Sequence, residues 1–239
     1  MADGIALTIQ NGIGNVEALV AGLGRERVLG GSTMCSFRSI GPGHVDQTHM
    51  GPTTIGELDG RTATRTRHLA EMLMAAGYPT EISTSIMDVV WTKFVLNCAI
   101  NPLCALTGLR LGEIARLEPM DRFQDLIVDE IFAVVRQKAP AVDEAGLRAK
   151  IKQHCWDKFS KPSMLQHIEA GRRTEVDALN GALVREADAL GIKVPHNRSL
   201  VMLLKGHEFF AMRRVHEPDI DYDALERAAA LEQRPRRGG

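Results

Sequence analysis

The sequence lacks the residue patterns of disulfide-stabilised and metal-binding proteins. Its four cysteines form no Cys-x-x-Cys pair, and two of them, Cys98 and Cys104, lie inside an apolar segment. The eight histidines are scattered, and none has the His-x-x-x-His spacing of a metal-ligand pair. This pattern favours reduced, buried thiols in a cytoplasmic protein over disulfides, and we expect no metal site.

An excess of charge of either sign is also missing. Lysine and arginine total 29 and aspartate and glutamate total 30, which gives a net charge of −1. This balance excludes the basic surface field that attracts nucleic acids and anionic membranes. The sequence has no secretory signal pattern and no apolar run of about 18 residues without a charge. We therefore expect a soluble protein with no nucleic-acid or membrane partner.

The chain divides near residue 82 into an α/β part and an all-α part. In the first part, short β-forming segments bounded by glycine and proline predict strands at 5–9, 28–37, 44–49, 53–57 and 81–82, with helices at 16–22 and 62–77. In the second part, apolar periodicity predicts helices only, at 84–107, 111–138, 143–159, 163–190 and 197–214. Residues 216–239 are predicted to form an extension that ends in a disordered basic tail, 234–239.

The helix predicted at 84–107 is apolar on nearly every side, as a buried helix is. Lys93, Asn97 and Asn101 are the main exceptions, and their spacing of four residues places their polar ends in one stripe. The stripe is either a satisfied polar seam in a core helix or one wall of a ligand site, and periodicity alone favours neither. Pro102 predicts a kink or a break at the end of the stripe.

The strand predicted at 5–9 is followed by Gly12-x-Gly14 and a helix, an order that is also found in dinucleotide-binding turns. The third small residue of such a turn is replaced by Glu17. No acidic residue ends the second strand, where the chain reads Cys35-Ser-Phe-Arg38. An ordinary strand-to-helix turn is therefore favoured over a phosphate-binding one.

A second polar group lies in the helix predicted at 163–190. Ser163-x-x-Gln166 has the spacing of a capping box, and Glu175 borders the apolar stripe of that helix. In one interpretation Ser163 is an N-cap and Glu175 pairs with Arg172 on the surface. In the other, the hydroxyl and the carboxylate face the same cleft as Lys93. Sequence spacing leaves both interpretations open.

These motifs, taken in order from residue 5 to about 210, resemble the 2-dehydropantoate 2-reductase (ketopantoate reductase) family. The matching residues are Gln10-Asn11-Gly12-x-Gly14-Asn15, Trp91-x-Lys93-x-x-x-Asn97-x-Ala99-x-Asn101-Pro102, Ser163-Met164-x-Gln166 and Gly171-Arg172-x-Thr174-Glu175-x-Asp177-x-x-Asn180-Gly181. The resemblance implies an α/β plus all-α fold. Residues 1–82 would be the C-terminal remnant of a Rossmann NADP-binding domain. Residues 83–215 would be a helical substrate domain similar to the 6-phosphogluconate dehydrogenase C-terminal domain.

The resemblance also implies a reaction, the NADPH-dependent reduction of ketopantoate or a similar 2-keto acid. Lys93 corresponds to the general acid and Glu175 to its carboxylate partner. Substrate-binding positions fall on Asn97, Asn101 and Ser163, and a cofactor-binding position falls on Asn11. A cationic donor suits this chemistry, because hydride delivery to a ketone builds negative charge on its oxygen. The implied partner is a small-molecule keto acid, and a homodimer is compatible with the resemblance.

The resemblance begins partway through the family's Rossmann domain, so its Gly-x-Gly-x-x-Gly turn has no counterpart here. We therefore expect this chain alone to bind NADPH weakly and to reduce ketopantoate little, because that turn holds the pyrophosphate. The alternative function is that of a catalytically inactive truncated member, which serves as a binding or dimerisation module. His167 and Lys161-Pro162 are lesser departures from the family pattern.

Overall fold

The computed structural model describes residues 4–217 and 219–231, so the predicted basic tail at 234–239 lies outside the described residues. The strands are β1 (Ala6–Thr8), β2 (Val28–Thr33), β3 (Ser36–Gly41), β4 (His44–His49), β5 (Thr53–Glu57) and β6 (Thr80–Ile82). The helices of the first part are α1 (Asn15–Leu23) and α2 (Thr64–Ala75). Those of the second part are α3 (Ile86–Thr107), α4 (Leu111–Arg116), α5 (Glu118–Lys138), α6 (Glu144–Asp157), α7 (Ser163–Glu169), α8 (Asn180–Leu190), α9 (Pro195–His216) and α10 (Tyr222–Leu231).

The main sheet has the strand order β1-β2-β5-β6. β1 is parallel to β2 and β5 is parallel to β6, whereas β2 and β5 are antiparallel. β3 and β4 form a separate hairpin. The single strand predicted at 28–37 is wrong, because the chain leaves the main sheet after Thr33. The Thr33 hydroxyl accepts the Cys35 N–H, and the Met34 N–H bonds the Pro52 carbonyl.

Helix α3 is the centre of the core, as its apolar sequence predicts. It packs against α5, α6, α7 and α9 and also touches β2 and β5 of the sheet. By length and hydropathy alone α3 could cross a membrane, but 61% of its apolar window is buried inside the protein. A core helix of a soluble protein has this character.

Helix α3 continues through Pro102 to Thr107 and ends at Gly108, which has a φ of 74°. Of the kink or break predicted at Pro102, the break is therefore absent. Pro102 has no N–H to offer the Cys98 carbonyl one turn earlier. That carbonyl instead accepts a hydrogen bond from the side chain of Asn180 at 3.1 Å.

The single helix predicted at 163–190 is also wrong, because α7 ends at Glu169 and α8 begins only at Asn180. Gly171 has a φ of 60°, which ends the helical conformation. The Thr174 N–H then bonds the carboxylate of Glu208 on α9. A smaller interruption at Leu117 separates α4 from α5, where one helix was predicted at 111–138.

Candidate active site

Glu175 is the meeting point of three segments that are distant in the sequence. It lies in the non-helical link between α7 and α8, and its Oε1 accepts a hydrogen bond from the Ser163 hydroxyl at 2.8 Å. The Asn11 carboxamide donates to both carboxylate oxygens, at 3.4 and 3.2 Å. The structure therefore brings together three of the predicted site residues. Glu175 is engaged by Ser163 and Asn11, and not by Arg172 as in the surface ion-pair interpretation.

Ser163 is not a helix cap. It is the first residue of α7, and the N-cap position belongs to Pro162, which offers no side-chain hydrogen bond. The Ser163 hydroxyl points instead to Glu175 across the link. Of the two interpretations of Ser163 and Glu175, the capping-box interpretation is therefore wrong.

The turn after β1 packs directly on the α7–α8 link. Gly12 has a φ of 89°, and a Cβ atom on it would lie 2.3 Å from the Ala178 carbonyl oxygen. The Ile13 N–H donates to the same oxygen at 3.2 Å. The absent side chain of Gly12 therefore makes room for protein backbone, and this geometry agrees with an ordinary turn. The contact also holds Asn11 beside Glu175.

Lys93 projects from α3 toward the end of β2, where its ammonium donates a hydrogen bond to the Thr33 carbonyl at 2.5 Å. Burial lowers the pKa of Lys93, while the negative charge of Glu175 and, more weakly, that of Cys35 in its thiolate form oppose that shift. The ammonium is thus bonded to a neutral carbonyl, and Glu175 acts on it through space.

Asn97 and Asn101 follow Lys93 at one and two turns along the same face of α3. Asn101 is buried, with 6% of its surface exposed. The Asn97 Nδ2 atom is buried and has no hydrogen-bond partner within the part of the chain that the structure describes. A buried amide donor without an acceptor is costly, and a bound ligand can supply the acceptor.

Sequence reasoning missed two contributors to this site. The Thr33 carbonyl holds Lys93, but every residue has a carbonyl, so no residue type could have indicated it. Glu208 fixes the link that carries Glu175, because both the amide and the hydroxyl of Thr174 donate to its Oε1. Among the described residues no group of three His, Cys, Asp or Glu side chains could hold a metal ion.

Comparison with known proteins decides the family. The family described as "Ketopantoate reductase PanE/ApbA C terminal" matches residues 85–208, and the one described as "Ketopantoate reductase PanE/ApbA" matches residues 2–60. The chain belongs to the ketopantoate reductase family. The resemblance and the fold class drawn from the sequence motifs are thereby confirmed, and with them the oxidoreductase class of the family.

Members of the ketopantoate reductase family are similar to this chain over most of its length. It is 34% identical over 205 residues to the 2-dehydropantoate 2-reductase of Archaeoglobus fulgidus, covering 86% of this chain and 68% of that protein. The corresponding protein of Halobacterium salinarum is 30% identical over 84% of this chain and 66% of its own length. The chain thus spans about two thirds of the length of these relatives.

Solved structures agree with this assignment. The PanE/ApbA family ketopantoate reductase from Ralstonia eutropha superposes with a TM-score of 0.77 at 33% identity, covering 87% of this chain and 67% of that one. D-Mandelate dehydrogenase with NADH and anilino(oxo)acetate superposes with a TM-score of 0.81 at 25% identity, covering 88% of this chain and 70% of that one.

Proposed function

We propose that the protein reduces ketopantoate, or a similar 2-keto acid, to the 2-hydroxy acid with NADPH, and that Lys93 is the general acid. The observation that carries this proposal is the partly buried Lys93 ammonium, which lies within electrostatic reach of the Glu175–Ser163–Asn11 cluster. Family membership supports the reaction, and the geometry supports the role of each side chain.

The ammonium of Lys93 has three N–H donors, and the Thr33 carbonyl occupies one of them. The remaining donors can bond the keto oxygen of a substrate. As negative charge develops on that oxygen, the ammonium stabilises it and then transfers a proton to it. Glu175 contributes by opposing the effect of burial, because its negative charge keeps Lys93 protonated to higher pH.

Substrate binding falls to the polar side chains around this ammonium. Asn97 offers its buried Nδ2 donor, which has no partner among the described residues, to a carboxylate or hydroxyl oxygen. The Ser163 hydroxyl donates its hydrogen bond to Glu175, so its oxygen can accept a hydrogen bond from a substrate hydroxyl. Asn101 carries both a donor and an acceptor. This set suits a small molecule with keto, carboxylate and hydroxyl groups.

A reduced nicotinamide cofactor supplies the hydride when it is bound. Asn11 fits the nicotinamide side of such a cofactor, since Glu175 engages its amide nitrogen and leaves its carbonyl oxygen as an acceptor. The neighbouring backbone is less suited to phosphate, because Gly12 and Ile13 are both packed on Ala178. We take NADPH as the cofactor by family resemblance.

The experiment follows NADPH oxidation by the protein as its gene encodes it, with ketopantoate as the substrate. NADH replaces NADPH in a parallel series, because the similar D-mandelate dehydrogenase structure contains NADH. Phenylglyoxylate, the keto acid that corresponds to mandelate, is the competing substrate. We expect a higher kcat/KM for ketopantoate with NADPH than for the other combinations. Absence of turnover with either keto acid would contradict the proposal and favour the alternative, a non-catalytic binding or dimerisation module.

We also propose a homodimer formed through α9. Among the large apolar residues of this helix that are 53–67% exposed, four form one group, namely Met202, Leu203, Phe209 and Phe210. Met202 and Leu203 lie four and three residues before Gly206, and Phe209 and Phe210 lie three and four residues after it. Gly206 has no side chain, and the space beside its backbone is open. A two-fold axis at Gly206 would pair two antiparallel α9 helices, with Met202 facing Phe210 and Leu203 facing Phe209.

The size of the exposed apolar face on α9 also favours a second copy of the chain as its partner. Tyr222, which is 61% exposed, extends the face through Arg213, because that guanidinium lies 5.9 Å from the Phe209 ring and 5.7 Å from the Tyr222 ring. Stable interfaces bury about 800 Å² on each partner, and Tyr222 enlarges the apolar face of α9 toward that requirement. Light scattering should show a dimer that Phe209→Ser abolishes and that Trp156→Ser, on another exposed aromatic, leaves intact. A monomeric wild type would contradict the proposal.

A further inference from the structure

Pro102 leaves one carbonyl of α3 without its helical donor. In an unbroken helix the Cys98 carbonyl would bond the N–H of residue 102, but proline has none. The region is buried, since Cys98 has no exposed surface and Pro102 lies inside the core helix. Water therefore cannot replace the missing donor, and the protein must provide one.

Asn180 provides that donor. Its side chain has no exposed surface, and its Nδ2 donates to the Cys98 carbonyl at 3.1 Å. The same nitrogen donates to the Asn197 Oδ1 at 2.9 Å, so both of its hydrogens are used. Asn197 is held in turn by Glu130, which accepts from its Nδ2 at 2.8 Å. The amide of Asn180 is thus fixed in the orientation that serves α3.

We propose that Asn180 is a positioning residue of the reductase, which fixes the geometry of α3 where it passes through Pro102 and thereby sets Asn101 relative to Lys93. Lys93 precedes the turn from Cys98 to Pro102 that lacks its backbone hydrogen bond, whereas Asn101 lies within that turn. A helix interrupted by proline bends where that bond is missing. A bend here would move Asn101 against Lys93 without touching either residue. The proposal rests on the proposed function only for its activity measurement.

The test is a double-mutant cycle between Asn180→Leu and Pro102→Ala. Asn180→Leu removes the donor while keeping the number and branching of the side-chain heavy atoms, and Pro102→Ala restores the N–H that proline lacks. We expect Asn180→Leu alone to lower kcat/KM for ketopantoate by roughly 5- to 100-fold, because small misplacements of binding groups are costly. In the Pro102→Ala background the same substitution should cost much less, and NADPH affinity should change little in either background.

Gln124 offers a matched control. Its Nε2 donates to the next carbonyl, that of Ala99, at 3.3 Å, and Gln124 is as fully buried as Asn180. The helical partner of the Ala99 carbonyl is Leu103, which has its own N–H. Gln124→Leu should therefore have the same effect in the wild-type and the Pro102→Ala backgrounds, whereas the effect of Asn180→Leu should depend on residue 102.

Melting temperatures provide a second measurement of the same coupling, which applies even if Asn180→Leu is unstable or the wild type is inactive. Pro102→Ala should raise the melting temperature of the Asn180→Leu variant toward that of the Pro102→Ala single variant. Additive effects in both activity and melting temperature would overturn the proposal. If the wild type is inactive but the effects of Asn180→Leu and Pro102→Ala on the melting temperature are non-additive, the proposed reaction is rejected and the carbonyl contact is upheld. If the wild type is active but the two effects are additive, the reaction is upheld and the role of Asn180 is rejected.

Discussion

Thr174 and Glu208 are joined by two hydrogen bonds to a single oxygen, because the amide and the hydroxyl of Thr174 both donate to the Glu208 Oε1. Glu208 is buried on α9, with 6% of its surface exposed. Thr174 immediately precedes Glu175. The carboxylate at the centre of the candidate site is therefore anchored through the backbone to a second carboxylate.

This anchor leads to a prediction about stability. Glu208→Ala should lower the free energy of unfolding by about 1–3 kcal/mol, because it leaves the Thr174 amide without its acceptor. Glu208→Gln, which keeps an acceptor oxygen, should lower it less. Urea denaturation measures both changes. Glu186→Ala is the control, since its ion pair with Lys138 is about one third exposed on both sides and should contribute less than about 1 kcal/mol. Equal effects of Glu208→Ala and Glu186→Ala would refute the anchor.

Lys93→Ala should lower kcat for ketopantoate reduction by roughly 10²- to 10⁴-fold, the range typical of a lost general acid. The dissociation constant for NADPH should change little, because the lost interaction is strongest when charge develops on the keto oxygen. Steady-state kinetics and a fluorescence titration separate the two quantities. Lys158→Ala, on an exposed residue after α6, is the matched control. Loss of NADPH binding with unchanged kcat would assign Lys93 to the cofactor instead.

The pH dependence follows from the same lysine. Burial lowers the pKa of Lys93, and only the protonated form can donate a proton, so kcat/KM should fall with rising pH below the ordinary lysine range. Glu175→Gln removes the negative charge that opposes this shift. The pKa should then fall further and the basic limb of the profile should move to lower pH. Glu169→Gln on α7 serves as the control, with an unmoved limb expected. A shift to higher pH in Glu175→Gln would contradict the electrostatic role of Glu175.

The 239-residue chain, taken alone, should bind NADPH weakly. Next to Asn11, which we propose to contact the nicotinamide side, the Ile13 N–H is already bonded to Ala178 and Gly12 is packed against it, so this turn offers phosphate little. Titration of NADPH fluorescence tests this directly, with Asn11→Ala as the variant that should weaken whatever binding remains. Micromolar binding accompanied by turnover would show that the prediction is wrong.

The sequence predicts the helical elements well where local periodicity is strong. The apolar surround of α3 and the spacing of Lys93, Asn97 and Asn101 are local properties, and the structure shows the helix where they place it. The end of α7 could not be predicted from local periodicity. An apolar stripe continues through residues 170–179, but the hydrogen bonds from Thr174 to Glu208 stabilise a non-helical link. Such bonds depend on how α9 docks, which periodicity does not encode.

The candidate site was only partly predictable for a similar reason. Motif matching named Asn11, Ser163 and Glu175, which lie up to 164 residues apart, and the structure shows Asn11 and Ser163 each bonded to Glu175. Their catalytic and binding roles stay predictions. The Thr33 carbonyl that receives Lys93 lies at the point where β2 leaves the sheet, and that point was placed wrongly within a longer strand. Every residue has a backbone carbonyl, so only the position of this one in the fold identifies it as the partner of Lys93.

The close packing of Gly12 on Ala178 has a consequence for mutational scanning. Any side chain at position 12 would push on the Ala178 carbonyl, and through the short link on Glu175 three residues earlier. A scan that scores turnover would therefore mark Gly12 as intolerant, even though it brings no functional group to the reaction. The mutation-sensitive positions would therefore extend from the helical part into the sheet part. Gly12 would score like a catalytic residue, although its sensitivity comes from a backbone contact.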